Sequence, residues 1–225
     1  MRLFLCLSLL AMSCGQPNAK SSTRSFKEFE GVITYKIYYV NKPDSAGKAD
    51  TMRVIYSKGN MVREYNPTAK NQLKKEIFFA SNNAYYSIIT GIDSAYSFDL
   101  KDAKLKLIHS DYNATPVNIL GRPCERLKFD EVFMGKAKFY VSNIFLYNKD
   151  ILRVDKKYFS NWHFGNFDKY ISEAGCLYLR FESDIQLYSQ DELARSIYEA
   201  VDIKEQPVDP KVFLIDTSRV KRMKF

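Results

Sequence analysis

The chain is poor in the residues from which most catalytic and metal centres are built. It has two histidines, four cysteines and one tryptophan in 225 residues. No Cys-x-x-Cys or His-Glu-x-x-His spacing occurs, His109 and His163 are far apart in sequence, and the acidic residues are dispersed, so no metal centre is expected. Glycine is too sparse and scattered to form a phosphate-binding loop, and no nucleophile elbow is present. Ser160, His163 and Asp168 are the residue types of a hydrolytic triad, but they share one short stretch without an oxyanion-hole signature. No catalytic residue is therefore assigned and no cofactor is expected. The lack of a fixed-period repeat argues against a propeller or solenoid. After Met12 no apolar run approaches the roughly 20 residues of a membrane-spanning helix.

Charge is unbalanced, with 34 Lys and Arg against 26 Asp and Glu, a net charge of +8. That surplus admits nucleic acid, a basic docking surface or an anionic membrane as partners. The N-terminus chooses among them. Met1-Arg2 is a short positive region, Leu3 to Met12 is apolar or small, and Ser13 precedes Cys14, which reads as an export signal over residues 1–13. Leu10-Ala11-Met12-Ser13-Cys14 resembles a bacterial lipobox, which makes Cys14 the expected lipid-attachment residue. Several acyl chains there would anchor the protein stably. An exported protein does not meet the chromosome, so nucleic acid is excluded as a partner. The basic surplus is then a solvated surface or a weak attraction to acidic headgroups.

Residues 14–25 are small, polar and aperiodic, as in a flexible lipidated tether. One domain is expected over 26–217, with 218–225 a basic tail that frays. Within it the side-chain period is two. Ile33, Tyr35, Ile37 and Tyr39 share one face of a strand over 31–40, and Met52, Val54 and Tyr56 alternate before a Ser-Lys-Gly-Asn turn leads to Met61, Arg63 and Tyr65. Short strands follow at 76–80, 84–89, 95–100 and 105–110, separated by turn residues. An amphipathic hairpin comes next, with Leu127 and Phe129 facing Phe139 and Val141. Residues 144–175 are irregular and long for a connection inside a compact domain. Alternation resumes at 176–182. The stretch 189–202 carries a capping-box pair, Ser189 and Glu192, and a four-residue apolar spacing that favours a helix, yet Ile197, Val201 and Ile203 also suit a strand. Residues 209–213 read as one helical turn.

Taken in order, Phe29-Glu30-Gly31-Val32-Ile33-Thr34-Tyr35, Lys58-Gly59-Asn60-Met61-Val62-Arg63, Ile119-Leu120-Gly121 with Cys124, and Ala200-Val201-Asp202-Ile203 followed by Val208-Asp209 and Val212-Phe213 resemble the exported Bacteroidota lipoproteins of the LolA- and LolB-like lipoprotein-carrier fold, related to the GLPGLI-type group. Glu173-Ala174-Gly175-Cys176-Leu177 stands near the place of the Gly-Leu-Pro-Gly-Leu-Ile motif but lacks its proline. The resemblance implies a mainly β protein: a strongly curved antiparallel sheet, an unclosed half-barrel, with short helices or a hydrophobic molecule on its concave side. It also favours a strand at 197–203.

Three groups of residues are candidates for function. Tyr35, Ile37, Tyr39, Leu127, Phe129, Phe139 and Val141 would line a hydrophobic cavity, or simply form the core. Trp162, His163, Phe164, Phe167 and Tyr170 would form a lid or contact loop, or else anchor an irregular segment to the sheet. Cys124 and Cys176 remain once the signal is removed, and an oxidising compartment favours pairing. By strand parity both point outward, but a strand between them would hold them about 9.5 Å apart, so pairing stays open. The expected function is a non-catalytic lipoprotein of the outer membrane, facing the periplasm, that binds a lipid or other hydrophobic molecule. The alternative is an envelope scaffold that docks a protein partner.

Overall fold

The computed structural model describes residues 26–40, 48–67, 70, 72–101, 105–134, 138–187 and 193–223. The signal, Cys14, the tether and the Ser189–Glu192 capping pair lie outside the described residues. Within them, β1 (Gly31–Val40), β2 (Thr51–Ser57), β3 (Asn60–Tyr65), β4 (Leu73–Phe79), β5 (Ala84–Ile89) and β6 (Ala95–Phe98) form one antiparallel meander. A second contains β7 (Leu105–Ile119), β8 (Arg122–Met134), β9 (Lys138–Tyr147), β10 (Arg180–Leu187) and β11 (Leu193–Glu205). The two join where β1 pairs with β11. With β12 (Val220–Arg222) added, this gives one curved, unclosed sheet in the order β12-β6-β5-β4-β3-β2-β1-β11-β10-β9-β8-β7. The expected curved half-barrel is the observed fold, and 197–203 is strand.

Local chemistry explains the tight points. Lys58 and Gly59 both have positive φ, 48° and 81°, the backbone that a two-residue hairpin needs to match strand twist. A Cβ on Gly59 would lie 2.4 Å from the Tyr158 ring. Gly31 opens β1 at φ 153°, and a Cβ there would sit 2.0 Å from the Lys204 carbonyl oxygen of β11. Only glycine allows that approach of two backbones.

The concave face is filled over much of its length by residues 148–179. These carry a 3-10 turn at Lys156–Phe159, another at Phe164–Asn166, and the helix α1 (Phe167–Ala174). Phe167, Tyr170, Ile171 and Ala174 recur at helical spacing and are the buried face of α1. Gly175 ends it in the left-handed conformation, its N–H donating to the Ile171 carbonyl at 2.9 Å. Phe159 and Trp162 pack on Phe78, at ring separations of 5.6 and 4.7 Å, and Tyr170 stacks on Phe145 at 4.2 Å. On the convex face a smaller core of Val32, Ile55, Val62 and Ile77 is covered by Phe213 and its neighbours. Asp209 caps the Pro210–Phe213 turn by accepting from the Lys211 N–H at 2.9 Å.

Four expectations change. The strand expected over 105–110 continues to Ile119, because its partner β8 is nearly as long, 13 residues against 15. The strand expected from Cys176 begins at Arg180; Cys176 itself makes only a single bridge to Arg153. Within the tail expected to fray, Val220–Arg222 is held, pairing in parallel with β6, while residues 224–225 lie outside the described residues. Cys124 and Cys176 do not point outward. Both are free thiols buried in the main core, 1% and 0% exposed. Parity does not reach Cys176, which makes one isolated bridge outside the strands, and Cys124 lies beyond a shift in the β7–β8 register between Asn113 and Val117. Burial, the largest influence, pushes the Cys176 thiol up to about 12.

Candidate functional site

The concave face is not filled completely. Between the helical plug and the strand ends that carry Tyr65, Leu73, Leu105, Phe133 and Phe139 lies a cavity of about 550 Å³. That is the size of a small-molecule site. Its walls are dominated by Phe139, Val141 and Phe145 of β9, Phe181 and Ile185 of β10, and Tyr198 of β11. Trp162, Phe164 and Phe167 form its boundary on the side of the plug. Strands β9 and β10 contribute alternate residues, Phe139 to Phe145 and Phe181 to Ile185, so the cavity is what remains of the concave face where no helix packs.

Of the seven residues expected to line a cavity, Phe139 and Val141 do so. Tyr35, Ile37, Leu127 and Phe129 are closed core, each 5% exposed or less, and Tyr39 packs against that core. Tyr35 donates its hydroxyl to the Tyr178 carbonyl at 2.6 Å, so it is satisfied inside the protein. Of the five lid residues, Trp162, Phe164 and Phe167 touch the cavity while Tyr170 is wholly buried in the plug. Only Phe164 is a largely exposed aromatic, at 42%. His163 is turned aside and its Nδ1 lies 2.9 Å from Asp168 Oδ2. Ser160 donates to the Lys157 carbonyl instead of joining them, so the three triad residue types do not assemble.

The polar end of the cavity was not anticipated. Arg63 of β3 and Glu76 of β4 are register partners and both line the cavity. Arg63 Nη1 lies 3.5 Å from Glu76 Oε2. The carboxylate is otherwise well served: Tyr65 donates to Oε2 at 2.6 Å and Tyr85 donates to Oε1. The guanidinium is not, for its Nε is buried without a partner. Burial works against the Arg63 charge, but the neighbouring Tyr178 and Glu76 more than offset it and it stays protonated. Burial first, then the Glu76 charge, raises the pKa of both Tyr65 and Tyr85, so both remain hydroxyl donors. Trp162 lies against the cation, 5.4 Å from ring centroid to guanidinium carbon. The signal was present in the sequence: Arg63 shares strand parity with Met61 and Tyr65, a charge on an apolar face.

A second acid, this one fully buried, fixes the plug. Glu131 is fully buried on β8 and accepts from Asn143 at 2.7 Å and from Asn166 at the start of α1. Asn166 is held in the left-handed conformation, φ 49°. The arrangement can enclose an apolar molecule and offer it one under-used donor; among the described residues no group of acidic, histidine or cysteine side chains could hold a metal ion. No helix among the described residues is long and apolar enough to cross a membrane. No family model, curated protein or solved structure matches this chain.

Proposed function

We propose that the protein is a non-catalytic, lipid-anchored protein of a bacterial envelope that binds a hydrophobic molecule in the open end of its half-barrel. The observation that carries this reading is the cavity of about 550 Å³ walled by aromatic and aliphatic side chains. A core that served stability alone would gain from closing it, since an unfilled apolar void costs stability. The resemblance to lipoprotein carriers and the lipobox-like Leu10-Ala11-Met12-Ser13-Cys14 support the envelope address. The scaffold alternative gains less support, because four of the five aromatic or histidine residues proposed as its contact surface turn inward or aside.

Uptake of the neutral fluorophore N-phenyl-1-naphthylamine by the purified full chain tests the cavity. Trp162 is the sole tryptophan and borders the cavity, so its emission gives an independent readout. Saturable uptake with a change in Trp162 emission is expected, and Ser183→Phe, which fills the cavity from β10, should weaken it at least tenfold while leaving the melting temperature near that of the parent. A titration with no uptake in the parent protein would reject the reading. The anchor is tested separately: Cys14→Ala should move the protein from the membrane fraction to the soluble fraction of cells.

A further inference from the structure

Charge and hydrogen-bond supply at the polar end of the cavity restrict what its occupant can be. Among the described lining residues Arg63 is the only cation and Glu76 the only anion. Their two charges cancel before anything enters. Glu76 already takes hydroxyl hydrogens on both oxygens. Arg63 spends one N–H of its guanidinium on a long 3.5 Å contact with Glu76, and the side chain lines the cavity with 17% of its surface exposed. Its other terminal N–H groups have no acceptor among the described residues, and an acceptor brought by a ligand would supply one. The acceptor's charge decides the rest. An ionised carboxylate would add an uncompensated negative charge a few ångströms from Glu76, at an end of the cavity walled by side chains that are mostly out of water, where such charges are poorly tolerated. A carbonyl oxygen accepts the same hydrogen bond and adds no charge.

We infer that the cavity selects a neutral apolar chain carrying a carbonyl acceptor, such as a fatty-acyl ester, which Arg63 binds at the polar end, and that it discriminates against the ionised fatty acid of the same chain. This rests on the hydrophobic-binding reading above and adds the chemical class of the ligand.

The test is competition against N-phenyl-1-naphthylamine on the full chain, using methyl dodecanoate, the n-alkane of equal heavy-atom count, and dodecanoate at pH 8 below its micellar concentration. Methyl dodecanoate should compete about tenfold better than the alkane, the scale of one hydrogen bond from a charged donor. Dodecanoate should compete less well than the ester at pH 8 and improve as the pH falls and the acid is protonated. Arg63→Met should erase the preference of ester over alkane while the fluorophore still binds. Because that variant strands the buried Glu76 charge and could unfold, the double variant Arg63→Met with Glu76→Gln, which removes both charges, should show the same loss of preference in a folded protein. Equal competition by ester and alkane, or stronger competition by dodecanoate at pH 8, overturns the inference with the cavity reading intact. Failure of the fluorophore to bind the parent protein overturns the cavity reading itself.

Discussion

Single residues in this fold are asked to do two incompatible things, and Glu131 is the clearest case. It sits fully buried where the plug meets the sheet, and its two oxygens satisfy the amides of Asn143 and Asn166. Burial, the largest influence, raises its pKa, against the lowering effect of those two amides. An acid whose folded pKa lies above its unfolded value ionises more readily in the unfolded chain. The resulting penalty is absent at pH below the ordinary carboxylate range, grows as pH rises towards the raised folded pKa, and is constant beyond it. Glu131→Gln has no proton to lose. Its stability relative to the parent should therefore increase between about pH 4 and neutrality, measured by urea unfolding at both ends; a pH-independent difference would contradict the assignment. Glu131→Ala removes the acceptor for two buried amides and should cost about 3 kcal/mol. Gly31→Ala is a different residue-scale failure. Its Cβ would overlap the Lys204 carbonyl, 2.0 Å away, so β1 and β11 cannot both keep their places. A loss of more than about 2 kcal/mol is expected from strain and lost pairing.

At the scale of elements, the plug at 148–179 separates the closed half of the concave face from the half that keeps a cavity. Phe159 is wholly buried and stacks on Tyr56 and Phe78, away from the cavity, whereas Trp162 stands on the border. Phe159→Ala should thus cost about 3–5 kcal/mol with little change in fluorophore affinity once folded. Trp162→Ala should be destabilising too, but it also enlarges the cavity and removes the aromatic face beside Arg63, so affinity should change with it. Parallel unfolding and uptake measurements on the two variants check the contrast. The same division explains what could be read from the sequence. The strand at 31–40 was legible because one face is buried from Gly31 to Ile37 and alternation reports burial, whereas 84–89 was legible from the turn residues on either side of it. The identity of the cavity wall was not, since Tyr35 and Phe139 obey the same alternation and differ only in whether a helix happens to pack over them. The plug was recognised as irregular, but the inward turn of Trp162, Phe167 and Tyr170 depends on contacts with strands far away in sequence. Arg63 and Glu76 were legible in principle, as charges at apolar parity, though their pairing needed the β3–β4 register. The cysteines misled, because parity holds only along a regular strand, and Cys176 lies outside one while Cys124 lies beyond a register shift.

On the scale of the whole molecule, one curved sheet carries two cores on opposite faces, and the second is made by the chain's last segment. Val208, Val212, Phe213 and Ile215 cross the convex face over Val32, Ile55, Val62 and Ile77. Lys75 Nζ donates to the Val212 carbonyl at 3.0 Å, and the Val208 N–H donates to Glu30 at 3.1 Å. Beyond them β12 covers part of the edge that β6 would otherwise present. Strands β1 to β4 therefore have apolar residues on both faces, and their convex side depends on this strap for cover. Phe213 is 8% exposed and is the largest side chain that the strap inserts. Phe213→Ala should cost about 3 kcal/mol, the lower end for deleting a buried phenyl ring, because a segment near a chain end can relax into the space. Since the strap and the cavity lie on opposite sides of the sheet and no described residue belongs to both, the two perturbations should be independent. Fluorophore affinity in folded Phe213→Ala should equal that of the parent, and a double variant with Ser183→Phe should show the sum of the single effects on stability. Equal losses of stability and affinity in Phe213→Ala would mean that the strap sets the curvature of the sheet, and with it the width of the cavity.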